Sequence, residues 1–249
     1  MAGIYATNGR TSLVDEDPDL LKGFDQTTVE SIRRAAAVPV IHVDTGPWTR
    51  ASNPPRPVYG LFVLNGLLSR GVIIQGRRSA ELLGPGDILR PAASEELDSS
   101  VDFEVQWDVL EPARIALLDS EFAAAVAPWP ELAGAVMDRI MRRAHALAFH
   151  LAVSHLKLVE MRLLVILWYY ADRWGRVTPG GVLLPLRMTH GLLARIVGAR
   201  RPSVSTALGR LQDRGHVERT DNGQWLLLGD PPRELKELAD GIIPDAASN

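Results

Sequence analysis

An α+β chain is predicted: a sandwich or jelly-roll barrel of short strands first, then one long helix, then a helical pair closed by a β-hairpin. Three observations predict it. Between residues 58 and 119, short apolar runs alternate with glycines at the spacing of an antiparallel barrel. Residues 131–153 contain no proline and only Gly134, with Ala133, Val136, Ile140, Ala144, Leu147 and Leu151 recurring at three and four residues. In HGLLARIVGARRPSVSTALG, residues 190–209, Leu193, Val197, Ala199, Val204 and Ala207 fall where two short crossing helices bury side chains against each other.

Residues 1–24 are polar and acidic and read as a mobile tail. DQTTVESIRRAAA, residues 25–37, reads as a short amphipathic helix, and residues 46–57 as a loop. VYGLFVLNG, SRGVIIQGRR and SAELLGPGDIL follow as β-type runs separated by glycines; VDFEVQWDVL alternates with period two, and ARIALLD adds another strand. Pro128 and Pro130 mark the start of the long helix, which at 1.5 Å per residue spans roughly 35 Å. Its apolar stripe suits pairing with a second helix or packing on its own β-domain. Arg139, Arg142 and Arg143 read as solvated flanks of that stripe. A second helix over residues 157–174 ends at Gly175, with Ser154, His155 and Leu156 as a hinge; a short strand over 183–186 precedes the helical pair. HVERTDNGQWLLL then reads as a hairpin around Asn222-Gly223, in the position of a wing.

The spacing of residues 190–209 is that of a DNA-binding helix-turn-helix. Ala194 is small where the helices cross most closely, Gly198 supplies the positive φ that turns the chain, and Pro202 is tolerated only in a first helical turn. Arg200, Arg201, Ser203, Ser205, Thr206 and Arg210 are left without core duty, a donor-rich face of the kind that enters a major groove. Charge supports this over a merely solvated hairpin. Residues 185–220 hold seven arginines against Asp213 and Glu218, a balance of +5, whereas residues 1–131 hold eleven basic and nineteen acidic residues, a balance of −8. A chain of formal net charge −3 thus gathers positive charge at one motif, as phosphate binding requires.

The 249 residues contain no cysteine, which excludes disulfides, iron–sulfur clusters and thiolate zinc sites. The N-terminus lacks the pattern of a signal peptide, and the longest apolar run, LLVILWYYA, is too short to span a bilayer, so a cytoplasmic protein with no membrane partner is expected. A β-roll metal enzyme of the cupin type is the first alternative. It needs clustered histidines, yet His42 is the only histidine before residue 145. Adjacent Glu95 and Glu96 would point to opposite faces of a strand, and His145, His150 and His155, spaced by five, read as surface positions of the long helix. No catalytic, metal or cofactor residue is therefore assigned. The second alternative is an interaction module whose basic helix binds an acidic protein.

Taken together, VEMRLLVIL, the run LPLRMTHGLLARIVGARRPSVSTALGRLQDRG and the wing with Trp225 resemble the Crp/Fnr family of transcription regulators, and LFVLNGLLSRGVII with ELLGPGDIL resembles the family's sensor strands. The resemblance implies a cyclic-nucleotide-binding-like β-roll sensor domain at 25–127, a dimerisation helix at 128–155, a winged helix-turn-helix DNA-binding domain at 156–232 and a C-terminal tail at 233–249. It also implies a homodimer on a near-palindromic operator in double-stranded DNA, with RNA polymerase as a further partner and a small-molecule effector of unknown identity. Departures from the family pattern are informative. Arg90 and Pro91 stand where cyclic-nucleotide binders carry Gly-Glu, and Asp102 and Phe103 where they carry the Arg-Ser pair that meets the cyclic phosphate. Cyclic AMP is therefore not expected as effector. Arg201 matches the arginine many members place on guanine, while Pro202 and Thr206 replace the glutamate and second arginine of the cyclic-AMP receptor. Arg201 and Thr206 are expected at base edges, and Arg200, Ser205 and Arg210 at phosphates.

Overall fold

Apolar residues near the N-terminus decide where the fold begins. The computed structural model describes residues 9–49, 58–90 and 102–231. Of the segment expected to be a mobile tail, Arg10–Ser12 forms strand β1, Leu13–Glu16 a single turn α1, and Pro18–Leu21 a 3-10 turn. Leu13, Val14 and Leu20 are buried completely or nearly so, and Arg114 and Arg139 hold Glu16 and Asp17 in ion pairs of 2.7 and 2.6 Å. The acidic residues that suggested a solvated tail are instead its anchors. Residues 1–8 and 232–249, including the expected C-terminal tail, lie outside the described residues.

Asp25 caps helix α2, Gln26–Ala35, by accepting from the Thr27 and Thr28 amides. The helix expected to run to residue 37 stops earlier because Ala37–Val43 forms strand β2. Gly46–Pro47, placed by the sequence in a loop, adds a two-residue strand β3. Strands β4 (Gly60–Ile74), β5 (Arg77–Leu83), β6 (Ile88–Leu89) and β7 (Glu104–Leu118) complete an antiparallel sheet in the order β1-β2-β7-β4-β5, with β3 on β7 and β6 on β4.

Two breaks expected from the sequence are bulges rather than turns. Asn65-Gly66 interrupts the β4–β7 ladder without ending it, and the Asn65 Oδ1 accepts from the Arg114 amide at 3.0 Å. Gly66 has φ +91°, and a Cβ there would lie 2.5 Å from both the Ala113 Cα and the Pro112 carbonyl oxygen. Pro112, which has no N–H to give, sits opposite this irregularity, where a ladder tolerates it. The real hairpin turn is Gln75-Gly76, both at positive φ, joining β4 to β5.

Alternation along β4 and β7 sends side chains into two cores. Leu61, Val63, Ile115 and Leu117 join Trp48, Trp107 and Leu83 on one face. Phe62, Leu64, Ala116 and Leu118 meet Leu13, Leu20, Ile32 and Phe122 on the other, where helix α3, Ser120–Val126, also packs.

The long helix α4 spans Pro130–Ser154. Its predicted stripe divides. Leu132, Val136 and Ile140 pack onto the second of these cores, the arrangement in which the helix lies on its own β-domain. Met137, Met141, Leu147 and Leu151 remain 43–63% exposed. Two of its arginines are not solvated flanks: Arg139 is 8% exposed and pairs with Asp17, and Arg143 pairs at 2.6 Å with Glu81, which also meets Arg70 of β4. His145 and His155 are exposed, as expected, but His150 is half-buried, its ring 5.7 Å from Tyr169 and 5.9 Å from Tyr170. By contacts the chain divides into two compact units, Met1–Leu147 and Ala148–Asn249, with the boundary inside α4.

Candidate nucleic-acid interface

The C-terminal unit is built on helix α5, Val159–Trp174, whose Leu163 to Trp168 are all buried. A hairpin follows, β8 (Arg176–Thr178) with β9 (Gly181–Leu184); only its second strand was expected. The first, Arg-Val-Thr with its valine exposed, is three residues long, too short to leave a period. Helix α6, His190–Ile196, starts at Thr189, whose Oγ1 accepts from the Leu192 amide. Helix α7 is Arg201–Asp213, with Pro202 in its first turn. Strands β10 (Val217–Arg219) and β11 (Trp225–Leu227) form the wing, and β11 pairs with β9 to give the order β10-β11-β9-β8.

The turn between α6 and α7 has the expected chemistry. Gly198 takes φ +64°, and the Ala199 amide donates to the Ala194 carbonyl at 2.9 Å. Leu193, Ala194, Val197, Val204 and Ala207 are buried; Ala199 is half-buried. Arg162, inside the apolar α5, donates to the Leu156, Val197 and Gly198 carbonyls. These are orphan acceptors at a hinge and a helix end, so one guanidinium ties the scaffold helix to the turn. A lone arginine in VEMRLLVIL was the available signal for this role.

Arg200, Arg201, Ser203, Ser205, Thr206 and Arg210 are all exposed. Helix α7 buries Val204, Ala207, Leu208 and Leu211, spaced i, i+3, i+4 and i+7. At about 100° per residue, Pro202, Thr206 and Gly209 face directly away from that core. Arg201 and Ser205 flank the face on one side, Ser203 and Arg210 on the other.

Each flank carries an interaction that the sequence did not reveal. On the first, the Ser205 hydroxyl lies 2.9 Å from Nδ1 of His190 at the start of α6. The His190 ring is 6.4 Å from that of wholly buried Trp225 in the wing, and the Arg219 guanidinium is 5.8 Å from the same indole. Burial first, then the charges of Arg219 and Arg201, hold His190 below the ordinary histidine range. Helix α7, helix α6 and the wing therefore meet at one side chain.

On the second flank, Glu160 in the first turn of α5 bridges Arg210 of α7 and Arg214, the residue that caps its C-terminus: Oε1 is 2.9 Å from Arg210 and Oε2 is 2.9 Å from Arg214. The hydrogen bond from Arg210, with the charge of Arg214, holds this carboxyl below its usual range. Lys157, Leu158, Val159 and Glu160 face Ser203, Thr206, Ala207 and Arg210 across a groove of about 410 Å3.

The pocket residues that argued against a cyclic nucleotide are only partly visible. Arg90 follows β6 and is exposed, Asp102 and Phe103 precede β7, and Pro91, Glu95 and Glu96 lie outside the described residues. Among the described residues, no helix is long and apolar enough to cross a membrane.

Residues 161–238 match the family model of the Crp-like helix-turn-helix domain. No curated protein matches the chain. Its fold is similar to a mutant of CooA from Carboxydothermus hydrogenoformans, at 18% identity and TM-score 0.62 over 94% of this chain and 98% of that one. It is also similar to CLP from Xanthomonas campestris, a c-di-GMP-responsive global regulator, at 20% identity and TM-score 0.57 over 83% and 100%. FixK2 from Bradyrhizobium japonicum matches at 16% identity and TM-score 0.56 over 84% and 98%. The resemblance read from the sequence is borne out in two parts: residues 161–238 carry a Crp-like helix-turn-helix domain, and the chain shares its fold with these three proteins.

Proposed function

We propose that this chain, a Crp-like helix-turn-helix domain carried in a Crp/Fnr-type regulator fold, is a dimeric, sequence-specific DNA-binding regulator of transcription acting in the cytoplasm. One observation carries the reading: α7 presents Thr206 on its outward face and Arg201, Ser203 and Arg210 on the flanks to solvent while its opposite face is fully packed. Exposed donors on a rigid helix are what direct readout in a major groove needs. Arg201 and Thr206 read base edges. Arg200, Ser205 and Arg210 set register on phosphates, Ser205 from its bond to His190 and Arg210 in competition with Glu160.

Dimerisation places two such helices on half-sites about one helical turn apart. Met137, Met141, Ala144, Ala148 and Leu151 of α4 support it, an exposed stripe at alternating spacings of four and three. This seam lies roughly 100° around the helix from Leu132, Val136 and Ile140. The β-roll is the effector domain, its ligand is a small molecule other than cyclic AMP, and RNA polymerase is a further partner. Neither an enzymatic reading nor capture of an acidic protein has a comparable geometric basis. Selecting bound duplexes from a random pool tests the proposal. A near-palindromic consensus is expected; retention on heparin with no enriched duplex sequence would overturn it.

A further inference from the structure

The Glu160 bridge has a consequence for how much ordinary DNA the chain binds. We infer that Glu160 is a specificity-determining residue, an acidic brake that cancels one guanidinium charge at the phosphate-facing edge of α7 and so suppresses binding to non-operator DNA. This inference rests on the DNA-binding reading above. The geometry is specific: each carboxylate oxygen takes one arginine at 2.9 Å, from positions one helical turn apart. The carboxylate is held against the fold at 17% exposure, while both arginine side chains are 62% exposed. What a polyanion meets is therefore two guanidinium surfaces carrying a net charge of one.

Binding to random duplex is set by the number of phosphates neutralised, and each contributes about 0.9 to the logarithmic salt slope. In a loosely docked, sliding complex the trio acts through its net charge. On the operator, base contacts from Arg201 and Thr206 hold the complex at one site, and a phosphate then held opposite Arg210 can draw that guanidinium away from Glu160. The brake thus weighs more on random DNA than on the operator. Lys157, on the same side of the groove as Glu160, adds a further cation beside it.

Glu160→Gln keeps the shape and one acceptor oxygen and removes the charge. Titrating random duplex between 50 and 200 mM salt should show the slope steepened by about 0.9, so that the variant's advantage over wild type grows about 3.5-fold from the high to the low salt. The ratio of operator to random affinity should fall. Glu160→Asp retains the charge and should keep the wild-type slope. Should Glu160→Gln lose its circular-dichroism melting transition, Glu160→Ser carries the same test with a residue suited to a first helical turn. An unchanged slope in the uncharged variant, an equal rise in Glu160→Asp, or an unchanged operator-to-random ratio would each overturn the inference. A wild-type protein with no salt-dependent DNA binding would instead overturn the DNA-binding function itself.

Discussion

Replacing Met141 and Leu151 together by glutamate should separate the protein into monomers, and the size of the effect follows from what α4 leaves uncovered. Met137, Met141 and Leu151 are 50%, 51% and 63% exposed, so a twofold partner would cover about half of each side chain. Full burial of such a side chain contributes about 1.5–3 kcal/mol, so half contributes about 1 kcal/mol. Six side chains across the twofold axis then contribute roughly 6 kcal/mol, and the double substitution removes four of them, about 4 kcal/mol. Glutamates facing glutamates add repulsion. The dimer dissociation constant should rise roughly a thousandfold, since each 1.4 kcal/mol is a factor of ten. Sedimentation equilibrium measures this directly, and operator affinity should fall with it. Ile140→Glu is the contrast: its side chain packs on the β-domain of its own chain, so it should lower the melting temperature instead of selectively splitting the dimer. A wild-type protein that sediments as a monomer at micromolar concentration would refute the reasoning, as would a double variant that stays dimeric.

Arg201→Ala should cost about 1–3 kcal/mol on the best operator and relax preference at one base pair per half-site, whereas Arg210→Ala should weaken all duplexes more evenly; equal losses on operator and random DNA for Arg201→Ala would refute its base-reading role. Cyclic AMP and cyclic GMP should neither bind in calorimetry nor shift a DNA titration, and a micromolar dissociation constant for either would overturn the argument from Arg90, Pro91 and Asp102. His190, held below the ordinary histidine value, favours the neutral ring in the folded state. The unfolded chain therefore takes up its proton first on acidification. The stabilisation is complete above about pH 6.5 and is lost as pH falls from there through the folded value. Thermal melts at pH 7.5 and 5.5 should show a smaller acid loss in His190→Gln than in wild type. Gly66→Ala should destabilise by more than about 1 kcal/mol, because its Cβ would meet backbone atoms of Pro112 and Ala113 that have no side-chain freedom to give; an unchanged melting temperature would contradict that.

The C-terminal unit was legible because its signals are local. Gly198, Pro202 and the spacing of Leu193, Val197, Val204 and Ala207 act within twenty residues, and each is where the turn and helix starts need it. The β-domain was less so. Asn65-Gly66 and Glu111-Pro112 have the composition of turns, and only their juxtaposition across the β4–β7 ladder makes one bulge of the two. The same holds for the N-terminal acids: Glu16 and Asp17 read as solvated until Arg114 and Arg139, about a hundred residues later, fold onto them. On α4, periodicity found an apolar helix but merged two faces, since Ile140 and Met141 are adjacent in sequence and serve different neighbours.

Charge shows why a window of sequence is the wrong unit for reading such a surface. The chain carries −3 overall and +5 between residues 185 and 220, so the whole-chain value alone would argue against a polyanion partner and the local one for it. At physiological salt, exposed charges act over about 8 Å, so the relevant sum runs over groups within that distance of the face, whatever their sequence position. Glu160 lies 25 residues before the window and outside any count made along it. Folding places its carboxylate 2.9 Å from Arg210 and from Arg214, closer to them than any acid inside the window is shown to be. The electrostatic strength of the α7 surface is thus set as much by the first turn of α5 as by α7 itself.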